Sequence, residues 1–280
     1  MAETLVADAA TRPAPAAVAA AHPLRAAAAK LGSAGRKSVA ILAFLALWEV
    51  APRIGLVDRT FLVPFSTAVQ ALWGLAKSGA LWQDTSASLG RSGAGFAIAL
   101  AVGIPLGLVI GWYRTAAELL NPLLELFRNT AALALLPVFI LILGIGETSK
   151  ISIVIYACVF PILLNTITAV RGVDPTLVKS ARSLGLSTPR VFLRVVLPAS
   201  VPTIFTGVRM AASASILVLI AAEMVGASDG LGYLINTSQQ NFDISQMYAG
   251  IIAISLIGGL VNILLLRLER RLTRWRAPLR

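Results

Sequence analysis

The chain has 280 residues, 57% of them hydrophobic and 13% charged, with a mean hydropathy of +0.82 and a net charge of +11. That is more apolar than a soluble core of this size needs, which excludes an ordinary soluble enzyme or binding module. The excess of Lys and Arg speaks for nucleic acid only if it is spread over a soluble surface, so its placement along the chain decides.

Residues 1–37 are rich in Ala and Pro, and Glu3 and Asp8 precede the first Arg. They lack the basic start and apolar centre of a signal peptide and are expected to form a disordered cytoplasmic tail. GSAGRKS (32–38) has no Gly-Lys pair and no preceding strand, so it reads as a flexible hinge and not as a phosphate loop. Six apolar runs then approach the ~20 residues needed to cross a bilayer. They are 38–57, 89–112, 129–146, 151–170, 201–222 and 247–266. The expected architecture is all-α and integral to the membrane.

With the N-terminus placed inside, 18 of the 24 Lys and Arg fall in 1–37, 113–128, 171–200 and 267–280. All four are cytoplasmic in that arrangement, as the positive-inside rule requires, and both termini are then cytoplasmic. The 223–246 segment, with three acids and no Lys or Arg, lies outside. The basic residues record orientation, and DNA binding gains no support from them.

In the first span, Glu49 precedes Arg53 by four residues, the favourable order for a helical ion pair; a role in transport is the alternative. Ser66 to Lys77 has a serine start, with Val69, Leu72, Trp73 and Ala76 on one face. It is expected as an amphipathic helix on the outer membrane surface. The second span repeats small residues every fourth position, Gly95, Ala99, Gly103, Gly107 and Gly111, a stripe that lets another helix come close. Pro105 is expected to kink it.

Cys158 is alone, and His22 is the only histidine, which excludes an internal disulfide and a His-based metal site. The fifth span places Thr203, Thr206, Arg209 and Ser213 on one face. That face either lines an aqueous path or lets Arg209 reach back to the cytoplasm. Glu223, at the end of this span, joins Thr206, Arg209 and Ser213 as a pathway candidate. The segment 226–243, glycine-rich and then polar, is expected as a re-entrant turn.

The segment KSARSLGLSTPRVFLRVVLP (179–198) breaks the apolar pattern. Asp174 caps a helix begun by Pro175, with Leu177, Val178, Ala181 and Leu184 on one side and Lys179 and Arg182 elsewhere. Gly185 supplies a left-handed stop. A second short helix is expected from Thr188 and Pro189, with Val191, Phe192, Val195 and Val196 inward, ended by Leu197-Pro198. A connector needs only a few residues, so 171–200 is expected to dock a cytoplasmic partner.

At these residues the chain resembles the permeases of bacterial ABC importers, whose loop motif reads E-A-A-x3-G-x9-I-x-L-P. Ala181, Gly185, Val195, Leu197 and Pro198 fall on its spacing, with Val for Ile, while Lys179 and Ser180 replace the first Glu and Ala. Over roughly 40–275 the chain further resembles the nitrate/sulfonate/taurine branch. GIGETSKI (144–151), FPILLNTITAVRGVDP (160–175), ARSLG (181–185) and AAEMVGASDGLGYLI (221–235) carry that likeness.

The resemblance implies a six-span permease of the type I importer kind in the bacterial inner membrane, working as a dimer with a second copy. It implies two cytoplasmic ATP-binding subunits that receive the coupling loop at Asp174, Leu177, Lys179, Ala181, Leu184, Gly185, Val195, Leu197 and Pro198. A periplasmic or lipid-anchored solute-binding protein would deliver the substrate. The chain has no Walker-type loop, so it is expected to bind no cofactor; ATP and Mg are used by the partner. The implied cargo is a small anion such as an aliphatic sulfonate, taurine or nitrate, with cyanate, bicarbonate or a vitamin precursor as alternatives. A carrier driven by an ion gradient is the reading from another class; it is disfavoured because Glu49, with its local partner, is the only acid the sequence puts within a span. A membrane enzyme is disfavoured by the lack of any His, Cys or carboxylate cluster in a span.

Overall fold

The computed structural model describes residues 39–272; the expected N-terminal tail lies outside the described residues. Two units divide at residue 59. In the first, helix α1 (Val39–Val50) runs into turns, Glu49 pairs with Arg53, and Arg59 Nε donates to the carbonyl of Pro52 at 3.3 Å. Its described part is too short to cross a bilayer.

The second unit holds α2 (Phe65–Ser78), α3 (Ala80–Trp112), α4 (Arg114–Arg128), α5 (Leu136–Leu143), α6 (Glu147–Arg171), α7 (Pro175–Ser183), α8 (Thr188–Val191), α9 (Leu197–Glu223), α10 (Leu231–Gln240) and α11 (Ile244–Leu272). A 3-10 turn at Ala132–Leu135 precedes α5, and a π-helical turn at Phe192–Val196 joins α8 to α9. The helix expected over Ser66 to Lys77 is α2, although its N-cap is Pro64 and not Ser66.

Helix α6 sits between α3 and α9. A Cβ added at Gly95 would stand 2.7 Å from Val154, at Gly103 3.0 Å from Ile162, at Gly107 2.6 Å from Thr166, and at Gly111 2.8 Å from Val170. Each partner lies 59 positions after its glycine, so the two helices run parallel in fixed register. On the other side, a Cβ at Gly207 would meet Asn165 Cβ at 2.5 Å, and Ser200 Oγ donates to the Ala169 carbonyl at 3.2 Å. Those pairs run in opposite senses, so α9 is antiparallel to α6.

Parallel α3 and α6 force the chain between them to return from one end of the bundle to the other. Four helices are long and apolar enough to cross a membrane among the described residues, and α4 with Ala132–Leu143, bent by 84°, is a fifth candidate that fits this return. Within the expected span 129–146 the α-helix covers only Leu136–Leu143, and most of the expected cytoplasmic segment 113–128 is helix α4. Helix α4 climbs α6 through Ala117, Leu120 and Leu124 against Leu163 and Ile167. The phenol of Tyr156 donates to the carbonyl of Phe127 at 2.9 Å near its upper end. Pro137 starts α5, and Gly144 (φ 80°) ends it.

The glycine contacts lead to a direct test. Gly107→Leu must push its side chain into Thr166 and the Leu163 carbonyl, a strain of about 1–3 kcal/mol or more. Gly90→Leu, whose added Cβ meets nothing within 4 Å, is the control. Thermal unfolding in detergent should fall several degrees for the first and stay put for the second. Equal effects would mean that the stripe does not pack.

Candidate functional site

At one end of the bundle, loop 171–200 stands on a small core. Ala181, Val191 and Val196 are buried together with Val170, and Trp112, Val178, Leu186, Phe192 and Val195 close over them. The Asp174 carboxylate accepts the Thr176 N–H at 2.8 Å, and this bond holds its pKa below the usual carboxylate range. Gly185 has φ 80°, the left-handed stop expected from sequence. The Gly185 N–H donates to the Arg182 carbonyl and that of Leu186 to Ala181, which fixes the turn. Leu184, at the tip, is 80% exposed, and Leu177 is half exposed.

The second short helix differs from expectation in two ways. Its cap is Ser187, so Thr188 is already helical. It does not end at Leu197-Pro198: α8, the π turn and α9 form one helix, Thr188–Glu223, of 36 residues. Pro198 lacks an N–H and would clash with the carbonyl four residues back. The wider turn, with the Leu197 N–H donating to the Phe192 carbonyl, lets the chain continue. The second short helix is therefore the first part of a long helix.

Halfway along that helix, Thr206, Arg209 and Ser213 lie on a partly open face, with Met210 and Leu217 exposed beside them. Arg209 and Ser213 line a cavity of about 240 Å³ between α9 and α11, floored by Gly258 and Asn262. Arg209 Nη1 donates to Glu269 at 3.2 Å, so its charge is engaged across the two helices instead of reaching alone to the cytoplasm.

Glu223 is not on that face. It lies in a polar cluster at the opposite end from the loop, 1% exposed, which the sequence reading missed. Arg91 stands at the centre, also buried. Its Nε and Nη2 grip Glu147 at 2.5 and 2.7 Å, its Nη1 donates to Glu223 at 2.8 Å and to the Asp229 carbonyl at 2.9 Å, and Nη2 also meets the Asp229 carboxylate. Ser88 donates to Glu223 at 2.8 Å and accepts from the Leu231 N–H at 2.9 Å. The Gly232 N–H reaches Glu223 at 3.0 Å, and the Gly230 N–H reaches Asp84 at 2.9 Å. Buried Lys150 adds a longer contact to Glu147 at 3.7 Å.

The cluster explains the glycines of GASDGLG. Gly230 has φ 111°, and an added Cβ would lie 2.6 Å from the Glu223 carboxylate. The loop wraps the acid too closely for any side chain. Beyond it most of the segment expected as a re-entrant turn is helix α10, which packs on α9 and α11.

Four helices long and apolar enough to cross a membrane among the described residues, a fifth bent candidate, and an exposed loop continuous with one of them are the features of a multi-pass membrane protein. Residues 103–275 match the family of binding-protein-dependent transport system inner membrane components, and the chain belongs to it. It is 34% identical over 232 residues to SsuC of Bacillus subtilis, a permease named for aliphatic sulfonate transport, covering 83% of this chain and 84% of that one. The taurine transport system permease protein TauC of Escherichia coli is 33% identical over 236 residues, covering 82% and 86%. The bicarbonate transport system permease protein CmpB of Synechococcus elongatus is 35% identical over 251 residues, covering 84% and 86%. The fold matches the inward-facing MetNI methionine ABC transporter, with a TM-score of 0.59 at 18% identity over 72% of this chain and 97% of that one. The chain is an ABC importer permease of the branch that holds these sulfonate, taurine and bicarbonate relatives.

Breaking the cluster from one side should be costly. Arg91→Gln strands a buried carboxylate at Glu223, a loss of about 3–5 kcal/mol. Arg91→Gln paired with Glu223→Gln should recover part of it, because the stranded charge is gone. Thermal unfolding of the purified permease reads both. A single mutant as stable as the parent would remove the cluster from the account.

Proposed function

We propose that the chain is the membrane-spanning subunit of an ATP-driven importer for a small oxyanion, paired with a second copy and with two cytoplasmic ATP-binding subunits. The loop end faces the cytoplasm, and a solute-binding protein docks at the Arg91 end. The chain itself binds no cofactor and performs no chemistry; ATP and Mg are bound and used in the partner. The observation that carries this reading is Leu184, exposed at the tip of a closed turn whose base runs unbroken into α9. Asp174, Leu177, Lys179, Ala181, Gly185, Val195, Leu197 and Pro198 build and orient that tip. A push on it travels as motion of a stiff element, the means by which packed helices rock between two arrangements.

The domain plan follows. Residues 1–37 form a cytoplasmic tail, and 38–280 the permease domain, with α1 part of the first of six spans. The face of Thr206, Arg209 and Ser213 lines the pathway, and Arg209 lowers the barrier for an anion. Glu223 acts from the outer end by holding the loop that closes over it. The names of the relatives support sulfonates, taurine or bicarbonate as cargo; nitrate fits the same charge and size. An ion-gradient carrier finds little support, since Glu223, buried as such a carrier would need, is held by Arg91, Ser88 and Gly232.

Two substitutions in the loop test the reading. Leu184→Asp places an unpaired carboxylate in an apolar contact, a penalty of several kcal/mol. Co-purification of the ATP-binding subunit should be lost while the permease level in the membrane is normal. Gly185→Val forces a β-branched residue to φ 80°; binding should survive, and substrate-stimulated ATP hydrolysis should fall. If both variants bind and transport as the parent does, the loop is only a connector.

The pathway is tested separately. Arg209→Ala should cut anion uptake about tenfold or more, the effect of losing ~1.4 kcal/mol or more of barrier lowering. The amount of assembled complex should fall far less. Matching losses of uptake and assembly would assign Arg209 and Glu269 to structure alone.

A further inference from the structure

A second cavity lies beside the loop end and shares Trp112 and Phe192 with the core under the loop. It holds about 520 Å³ and is walled by Pro105, Leu108 and Trp112 of α3 and by Pro189, Phe192 and Leu193 of the α8 and π-turn segment. Trp112 and Phe192 meet edge to face at 5.0 Å and form part of its wall. The π turn widens the helix along this same wall, and such turns recur at functional sites. From Pro105 to Trp112 the cavity runs ~10 Å along the helix axis, deep enough for the upper part of an acyl chain. Tyr113, exposed at the end of α3, is of the residue type enriched at headgroup level, which suits a mouth there.

Two basic residues stand beside the mouth on the α8 side. Arg190 and Arg194, four residues apart and both exposed, stand one step further round the helix from Pro189 and Leu193. Neither forms a salt bridge to a carboxylate among the described residues, in contrast to Arg114, Arg128 and Arg209. Two uncompensated guanidinium groups beside an apolar slot at the cytoplasmic face match a phospholipid with an anionic headgroup: tail in the slot, phosphate on the arginines.

We propose that this cavity is a binding site for an anionic phospholipid of the inner leaflet, phosphatidylglycerol in kind, seated against the base of the coupling loop. The proposal rests on the cytoplasmic orientation of the loop given above. Because Phe192 joins the wall of the cavity to the core under Ala181 and Val196, the lipid would brace the joint between loop and α9.

The test uses the importer purified with its ATP-binding subunit, mixed with equal phosphatidylglycerol and phosphatidylcholine and examined by native mass spectrometry. The parent should retain phosphatidylglycerol in preference. Each arginine is worth roughly fivefold in affinity for an anionic surface, so Arg190→Gln with Arg194→Gln should lower that retention by about tenfold or more. Val109→Trp, which fills the cavity from an exposed position on α3, should lower retention of both lipids. No preference in the parent, or unchanged retention in either variant, overturns the site. If the arginine variants keep the lipid and lose the ATP-binding subunit, the arginines belong to that subunit and the proposal is wrong. If the parent itself purifies without that subunit, the coupling reading has failed, and lipid retention on the permease alone still decides the site.

Discussion

The structure depends on one close approach: α6 is pressed between α3 and α9 at distances that exclude a Cβ on either neighbour. Gly95, Gly103, Gly107 and Gly111 remove the obstacle on one side and Gly207 on the other. Within a bilayer there is little hydrophobic drive for apolar helices to associate, so contact density and interhelical hydrogen bonds must do it. The Cys158 thiol, donating to the Ala211 carbonyl at 3.3 Å, and Ser200, donating to that of Ala169, belong to this contact. Fixing α6 in register with both neighbours determines what meets at each end.

At the end away from the loop, that register sets Arg91 of α3 beside Glu147 at the start of α6 and Glu223 at the end of α9. At the other end it brings Trp112, Val170 and Val196 together under the loop. One end is held by charge and the other by apolar packing. Both are anchored to the same three helices, so on the proposed reading a displacement of the loop would reach the opposite cluster through rigid elements. The mechanism needs no separate pathway of contacts. It needs only that the three helices move as packed bodies with two favoured arrangements.

Much of this is legible in the sequence where the signal is local. The glycine stripe repeats every four residues, and Gly185 follows a capped helix, so helix period and turn chemistry expose both. The relations that stayed hidden are those in which distance along the chain separates the partners. Arg91 reaches acids 56, 132 and 138 residues away, and alone in the sequence it looks like one more outer-side charge. Arg209 finds Glu269 on another helix, 60 positions on. The run at 129–146 counts as a span because hydropathy measures length and not direction, and the chain turns by 84° at the break between Arg128 and Ala132. Pro198 looked like a stop because the rule assumes an α-helix, and the π turn at Phe192–Val196 changes the geometry that the rule rests on.

The claim that the loop and the outer end move as one is tested most directly by distance measurement in the assembled importer. Ser228 is exposed in the outer loop, and Cys158, the only native cysteine, is buried, so a spin label on Ser228→Cys in each copy reports one site. Pulsed electron resonance in lipid, with the ATP-binding subunit present, should give one distance without nucleotide and a different one with a non-hydrolysable ATP analogue. With Leu184→Asp added, the distance should stay at the nucleotide-free value. An outer distance that shifts equally in the Leu184→Asp background, or that never shifts while ATP-driven uptake proceeds, would contradict the account.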